Sequence, residues 1–450
     1  MTEYTKELAR WAAELRYEDL PPALISKLKD CMLDMIGCAV AGSDKPEILN
    51  MKSALMRGEG EALVWGTGRR IPAAYALLLN GAMSHTVELD DLHKPSKIHA
   101  ACVTAPPVLT VGETLGADGK AALKAAAIGY EVTIRLGMAL GTDSHRRRGW
   151  HATATCGSFG AAAAIGSLLG LNEIQMANAL GLAGTQTGGL MAYTADGSMA
   201  KRFHAGKAGE NGWLAATLAK AGFTGPTYVL EAPDGSYAHA ASDAYDLDIL
   251  LDGLGTRWHA VDTGLKYYAC CGHIHQAIDA AIRLTKEHGI EADDVAAVEV
   301  RTYDVAGMAW GFRSAPRNTV EAQFNIPYAV AVAILDKQAF LPQFEQARLS
   351  DPAILALAQK ITVKTDEAYT KRYPAEWCSG VTITLKDGRA FSHEVCGAKG
   401  DPANPLTEEE VQSKFRILTA DKLTEDAKER TIRFFTGLER QPRLADPFTL

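Results

Sequence analysis

The chain has 450 residues, of which 47% are hydrophobic and 22% charged, with a formal net charge of −8. Those values fit an ordinary globular protein of about two domains by length. The acidic balance argues against nucleic acid or an anionic membrane surface as a partner. A membrane span is also excluded, because Lys124, Glu131 and Arg135 interrupt the best apolar run well short of the roughly 18 residues a span needs.

Met1-Thr2-Glu3-Tyr4-Thr5-Lys6-Glu7 opens an acidic amphipathic helix rather than a basic and then apolar leader, so a cytoplasmic location is expected. Apolar residues recur at three- and four-residue spacing from Pro21 to Gly42 and from Ala121 to Gly141, which predicts buried helices. Between Cys156 and Leu171 the run Ala161-Ala162-Ala163-Ala164, set among glycines, predicts a helix that others approach closely, at the centre of a bundle. After residue 263 the period changes. Strands are predicted at Val295–Tyr303, Ile361–Thr365 and Val381–Leu385, and Asp387-Gly388 predicts a hairpin turn into a strand from Ala390 to Val395. Helical patterns lie between them, at Glu321–Asp336 and Pro352–Lys360, and Thr407-Glu408-Glu409-Glu410 reads as a new helix start. The fold class is therefore mainly α with an inserted α+β domain. Residues 1–263 and 399–450 are expected to form a discontinuous helical domain, and residues 264–398 an α+β lid. The eight cysteines show no C-x-x-C pair, and reduced core thiols are expected.

Four polar clusters stand in this apolar background. The first runs from His85 to His99 and holds Glu88, Asp90, Asp91 and His93. Pro95 argues against one long helix there, and the segment reads as a solvated charged loop, as an acid/base pair or as metal ligands. Metal is disfavoured, since no H-E-x-x-H or paired C-x-x-C spacing occurs. In the second, Arg146-Arg147-Arg148-Gly149-Trp150-His151, the histidine precedes a small-residue helix whose N-terminus could meet an anion; the plain alternative is a surface arginine patch beside a packing histidine. The third is Lys201-Arg202-Phe203-His204, where Lys201 and Arg202 leave a helix in different directions, so that one faces inward and the other solvent. The fourth is Lys266-Tyr267-Tyr268-Ala269-Cys270-Cys271-Gly272-His273. A nucleotide site is rejected, because Gly184-Thr185-Gln186-Thr187-Gly188-Gly189 has neither a P-loop lysine nor G-x-G-x-x-G spacing.

Acids, imidazoles and ammonium groups flanked by packing residues are what a buried pocket for a small polyanion requires. In this order the clusters resemble the MmgE/PrpD family, which includes 2-methylcitrate dehydratase, cis-aconitate decarboxylase and iminodisuccinate epimerase. The family loop reads roughly D-x-D-D-T and then H-P; here it is Glu88-Leu89-Asp90-Asp91-Leu92 and His99-Ala100. The family histidine ahead of a Gly- and Ala-rich helix matches His151, and its pocket lysines match Lys201 and Lys266. The resemblance implies a helical domain built from both chain ends, a smaller α+β lid, a pocket between them, a homodimer and no required cofactor or metal. Glu88, Leu92 and Ala100 depart from the family's aspartate, threonine and proline. Cys271 stands where the decarboxylase has a histidine, and its pocket tyrosine has no aligned counterpart, Tyr303 being close in sequence. These departures weigh against decarboxylation.

A carbon acid next to a carboxylate needs a base and a cation that stabilises the charge developing on that carboxylate. His99 and His151 are the acid/base candidates, Lys201 and Lys266 the carboxylate binders, and Glu88 or Asp91 would orient a histidine or bind a substrate hydroxyl. Arg202, Cys271 and Tyr303 complete the candidate substrate contacts. Neither lysine is expected to support the core. The expected function is a cofactor-independent hydro-lyase acting on a small carboxylate substrate, of the 2-methylcitrate dehydratase type. The alternatives are an epimerase of a dicarboxylic acid such as iminodisuccinate and an inactive carboxylate-binding or scaffold relative.

Overall fold

Small residues decide where the helices meet. The computed structural model describes residues 2–310 and 315–446. The chain divides into two compact units, one holding the residues up to Thr263 together with those from Thr407 onward, the other Gly264–Leu406.

In the first unit the helix Ala152–Leu168 is buried from Thr153 to Gly166, and it packs against Ala100–Leu115, Gly119–Ala139, Glu173–Gln186 and Ala200–Lys220. Its alanines present so little side chain that neighbours close in from several sides, which the Ala- and Gly-rich composition predicts. The tightest approach that matters for the site is elsewhere, between the helices Ala73–His85 and Ala200–Lys220. A Cβ on Gly81 would come within 2.7 Å of Gly206 Cα, and one on Gly206 within 2.0 Å of the Leu78 carbonyl oxygen. Only glycine permits that backbone contact. It sets His85, the last residue of one helix, beside the start of the other.

The C-terminal helix Glu408–Leu418 begins with a reciprocal cap: Thr407 Oγ1 accepts from the Glu410 N–H at 3.2 Å, and Glu410 Oε2 accepts from the Thr407 N–H at 2.8 Å. Its Lys414 ammonium is buried, pairs with Asp34 of the Pro22–Gly42 helix at 2.7 Å and donates to the Leu89 carbonyl at 2.7 Å. A charge taken out of water needs such partners. Here the pairing also pins the polar loop that follows His85.

The second unit carries a four-stranded sheet in the order Ile361–Thr365, Val295–Thr302, Ser379–Leu385, Ala390–Val395. The first pair is parallel and the other two antiparallel. Asp387-Gly388 forms the expected turn, with Gly388 at φ +89°. The helix His275–His288 packs on the hairpin strands. Two expectations need correction. The helix predicted across Glu321–Asp336 is two helices, Thr319–Gln323 and Ile326–Asp336, because Asn325 caps the second by accepting from the Tyr328 N–H and Pro327 occupies its first turn. Nor are all the cysteines reduced: Cys378 and Cys396 form a disulfide. The Ser379–Val395 pairing sets the two flanking cysteines opposite each other, with Cα atoms 4.0 Å apart. Cys31, Cys38, Cys102, Cys156, Cys270 and Cys271 are free and buried. Among the described residues no helix is long and apolar enough to cross a membrane.

Candidate active site

The segment between the Ala73–His85 and Ala100–Leu115 helices is not a solvated loop. His85, Glu88, Asp90, Asp91, His93 and His99 are all buried. Interior charges persist only with partners. Lys414 holds the loop from below at Leu89.

Glu88 has a left-handed backbone, φ +57°, rare for a side chain of its size and costing about 1 kcal/mol. Its carboxylate is held by two cations. Lys201 Nζ donates to Glu88 Oε1, and Arg202 Nη1 donates to the same oxygen at 2.8 Å. Arg202 Nε also lies 3.8 Å from Glu47. This corrects two expectations. Lys201 and Arg202 do not divide between interior and solvent, since both are buried on one carboxylate. Successive helical residues differ by about 100° in direction, but both long stems leave the first turn of Ala200–Lys220 and can bend to a common acceptor. Lys201 is therefore part of an interior ion cluster and supports the fold as well as the site.

Four imidazoles gather beside this cluster. The His85 ring centroid lies 4.9 Å from that of His99 and 6.2 Å from that of His151, and His151 lies 5.3 Å from His204. Asp90 Oδ2 is 2.7 Å from His85 Nδ1 and 3.5 Å from His99 Nδ1. His99 Nδ1 donates to the Asp91 carbonyl at 2.6 Å, which leaves Nε2 as the basic nitrogen. His151 stands just before the Ala152–Leu168 helix, with its backbone N–H on the Gly189 carbonyl at 3.0 Å. Gly189 has φ +127°, and a Cβ there would lie 2.6 Å from the Ala154 methyl and 3.4 Å from the His204 ring. The His151 and His204 Nδ1 atoms are 3.1 Å apart, so one must carry the proton the other accepts. Burial pushes His151 well below the ordinary imidazole pKa, with Lys201 adding to it. Burial likewise lowers His204 to about 4 and lowers His85, the latter against the pull of Asp90. All three are neutral near pH 7 and can accept a proton.

Residues 6–248 match the MmgE/PrpD N-terminal domain, and residues 268–440 match the MmgE/PrpD C-terminal domain. The chain belongs to the MmgE/PrpD family. It is 29% identical to a cis-aconitate decarboxylase of Aspergillus terreus, over 97% of this chain and 93% of that protein. It is 25% identical to the cis-aconitate decarboxylase of Homo sapiens, over 97% and 92%. It is 22% identical to the 2-methylcitrate dehydratase of Salmonella typhimurium, over 81% and 79%.

Within this MmgE/PrpD protein the first unit brings Glu88, Asp91, His99, His151, Lys201 and Arg202 together. Asp91 does not orient a histidine through its carboxylate. Both its oxygens accept from the Ala101 N–H, at 3.0 and 3.1 Å, and Tyr130 donates to it at 3.1 Å, so it caps the Ala100–Leu115 helix. Burial and the neighbouring Asp90 push Asp91 up to about 8. The histidine-facing acid is Asp90. His93 turns away to Ser96, at 2.9 Å. Arg146, Arg147 and Arg148 are exposed, and Arg148 pairs with Asp243 on the surface.

Lys266, Cys271 and Tyr303 belong to the second unit and are buried. The Cys271 N–H donates to the Gln323 carbonyl at 2.9 Å. Tyr303 meets His273 Nδ1 through its hydroxyl, and His273 stacks on Trp377 with centroids 4.0 Å apart. Sequence reasoning missed His85, Asp90 and His204 as site residues. His204 was within reach, since it stands three positions after Lys201 and so on the same helix face. His85, Asp90 and His99 also offer donor atoms within 4.8 Å of one another and could hold a metal ion.

Proposed function

We propose that this MmgE/PrpD protein is a lyase for a small di- or tricarboxylic acid, acting by proton abstraction from a carbon next to a carboxylate, with 2-methylcitrate-type dehydration as the first reading. The observation that carries it is the buried set of imidazoles, of which burial holds His85, His151 and His204 neutral, beside Lys201, Arg202 and Glu88. In this reading His99 and His151 move the protons, while Lys201 and Lys266 bind carboxylates. Because Arg202 also pairs with Glu88, Lys201 can turn to a substrate carboxylate while Glu88 keeps a counter-ion. Neutral bases suit removal of a weakly acidic proton, and fixed cations suit the charge that develops on the carboxylate. The reading includes a homodimer in the cytoplasm and assigns no step to a cofactor.

A second reading, decarboxylation, is favoured by the near full-length similarity to cis-aconitate decarboxylases. Cys271, in the place of the decarboxylase histidine, weighs toward dehydration. The test is incubation with citrate, 2-methylcitrate, cis-aconitate and iminodisuccinate in deuterated water, following alkene absorbance, carbon dioxide and deuterium uptake. Alkene formation from a hydroxy acid supports dehydration, and carbon dioxide release supports the second reading. Deuterium uptake with no net loss of water or carbon dioxide would make the protein an epimerase. No change in any substrate would leave a carboxylate-binding relative and overturn the proposal.

A further inference from the structure

Residues 187–199 link the helices Glu173–Gln186 and Ala200–Lys220 of the first unit. From residue 184 to residue 199 a single residue, Tyr193, is buried, while its neighbours Ala192, Thr194, Ala195 and Asp196 are exposed. A large side chain turned inward from an exposed segment is held by what it meets, and this one meets two imidazoles of the site. We propose that Tyr193 is a positioning residue whose ring holds the His151 and His204 pair in place and keeps solvent from it. The inference rests on the proton-transfer reading of His151, and Tyr193 acts through that histidine without taking a proton itself.

The ring geometry is specific. Tyr193 lies edge-on to both imidazoles, with centroids 5.7 Å from His151 at an interplanar angle of 73° and 5.9 Å from His204 at 66°. Edge-to-face contact is a favoured arrangement for aromatic rings, so each pair resists rotation of the imidazole. His151 and His204 meet through Nδ1 atoms 3.1 Å apart, and that contact survives only while both rings keep their planes. With Nδ1 committed to His204, Nε2 is the nitrogen of His151 left to exchange a proton with a substrate.

The backbone delivers the ring to this place. The His151 N–H donates to the Gly189 carbonyl at 3.0 Å and the Met191 N–H to the Gly149 carbonyl at 2.8 Å, so the segment pairs on both sides of Leu190 with the residues that lead into the Ala152–Leu168 helix. Met191–Thr194 then makes one tight turn, which the Gly197 N–H closes on the Tyr193 carbonyl at 2.9 Å. Gly189 and Gly197 have φ of +127° and +69°, where a side chain would be strained. The Tyr193 hydroxyl donates to Met191 Sδ at 3.2 Å, inside the same turn, so phenylalanine can keep the ring where it is. Water kept out of such a site strengthens the electrostatic interactions made within it.

Tyr193→Ala removes the ring and Tyr193→Phe keeps it. Diethyl pyrocarbonate, which acylates accessible neutral imidazoles, reads the difference without any substrate. Followed by peptide mass spectrometry, acylation of His151 and His204 should be about 10-fold faster or more in Tyr193→Ala, the scale set by loss of two aromatic contacts, and near the wild-type rate in Tyr193→Phe. His288, exposed in the second unit, should react at one rate in all three proteins. On the carboxylic acid that the wild type converts, kcat should fall about 10- to 100-fold in Tyr193→Ala, with KM changed less, and should be retained in Tyr193→Phe. Thermal melts establish that the variants are folded, and Tyr193→Leu, which has no ring, replaces the alanine variant if that one is not. Unchanged acylation of His151 and His204 in the folded protein without the ring, or a phenylalanine variant that behaves like alanine, would overturn the positioning role. If no carboxylic acid is turned over, the functional reading fails, and the acylation rates still decide the role of Tyr193.

Discussion

Replacing Lys201 by methionine keeps most of the stem volume and removes one ammonium, so its effect measures what that charge contributes. Removing one partner of a buried ion pair ordinarily costs about 3–5 kcal/mol, because the other charge is left uncompensated. Here Arg202 remains 2.8 Å from the same Glu88 oxygen, so the carboxylate keeps a cation. The expected cost is that of one charge-assisted hydrogen bond, about 1.5–3 kcal/mol. In a unit of this size that corresponds to a melting temperature lower by about 2–5 °C. Loss of a carboxylate contact worth about 2–4 kcal/mol in the transition state should lower kcat/KM by about 30- to 1,000-fold. Glu88→Gln should destabilise more, since it removes the carboxylate that Lys201 and Arg202 share and leaves Arg202 with the more distant Glu47, 3.8 Å from its Nε. The double variant should cost less than the sum of the two, by about 1–3 kcal/mol. Thermal melts and steady-state kinetics on the three proteins check this. Strict additivity, or a Lys201→Met protein with unchanged melting temperature and catalytic efficiency, would refute the buried cluster as described.

Gly81→Ala puts a methyl 2.7 Å from Gly206 Cα, and overpacking of this kind costs about 1–3 kcal/mol; it should lower the melting temperature and, by moving His85 away from Lys201, reduce activity. Stability should be greatest at about pH 6–7. Below that, the folded state binds fewer protons than the unfolded one, because burial holds His93 at about 3 and His145, His204 and His259 at about 4, so stability falls as pH drops from about 6.5 toward 4. Asp91, raised to about 8, acts in the opposite sense and lowers stability as pH rises toward 8; a flat melting temperature from pH 4.5 to 8 would contradict both assignments. Turnover should survive exhaustive chelation, and loss restored by a single divalent ion would make the His85, Asp90 and His99 group a metal site.

The elements were legible wherever one period ran unbroken. The helix at Pro22–Gly42, the strand Val295–Thr302 and the Asp387-Gly388 hairpin follow directly from spacing and turn chemistry. The break at Asn325 and Pro327 was not legible, because the apolar pattern continues across them while the backbone hydrogen bonding does not. In the site, residue type was readable and direction was not. Asp90 and Asp91 are adjacent and alike, and only the folded loop decides that one meets two imidazoles while the other caps a helix. Lys201 and Arg202 diverge on a helical wheel, yet their long stems converge, because the acceptor is a carboxylate on a left-handed backbone that no period encodes. The disulfide was invisible because it joins the far ends of a hairpin, which brings distant sequence positions together through strand register.

The central claim is that His99 and His151 transfer the protons. It is tested most directly by His99→Gln and His151→Gln, each assayed for product formation and for solvent deuterium exchange on the carboxylic acid that the wild type converts. Each substitution should lower turnover by at least about 100-fold, the usual scale for loss of a general acid or base. In a dehydratase both should lose release of water. In an epimerase each should still exchange the proton on its intact side while failing to invert the centre. If both variants turn over at the wild-type rate, the protons move through other groups and the assignment is contradicted.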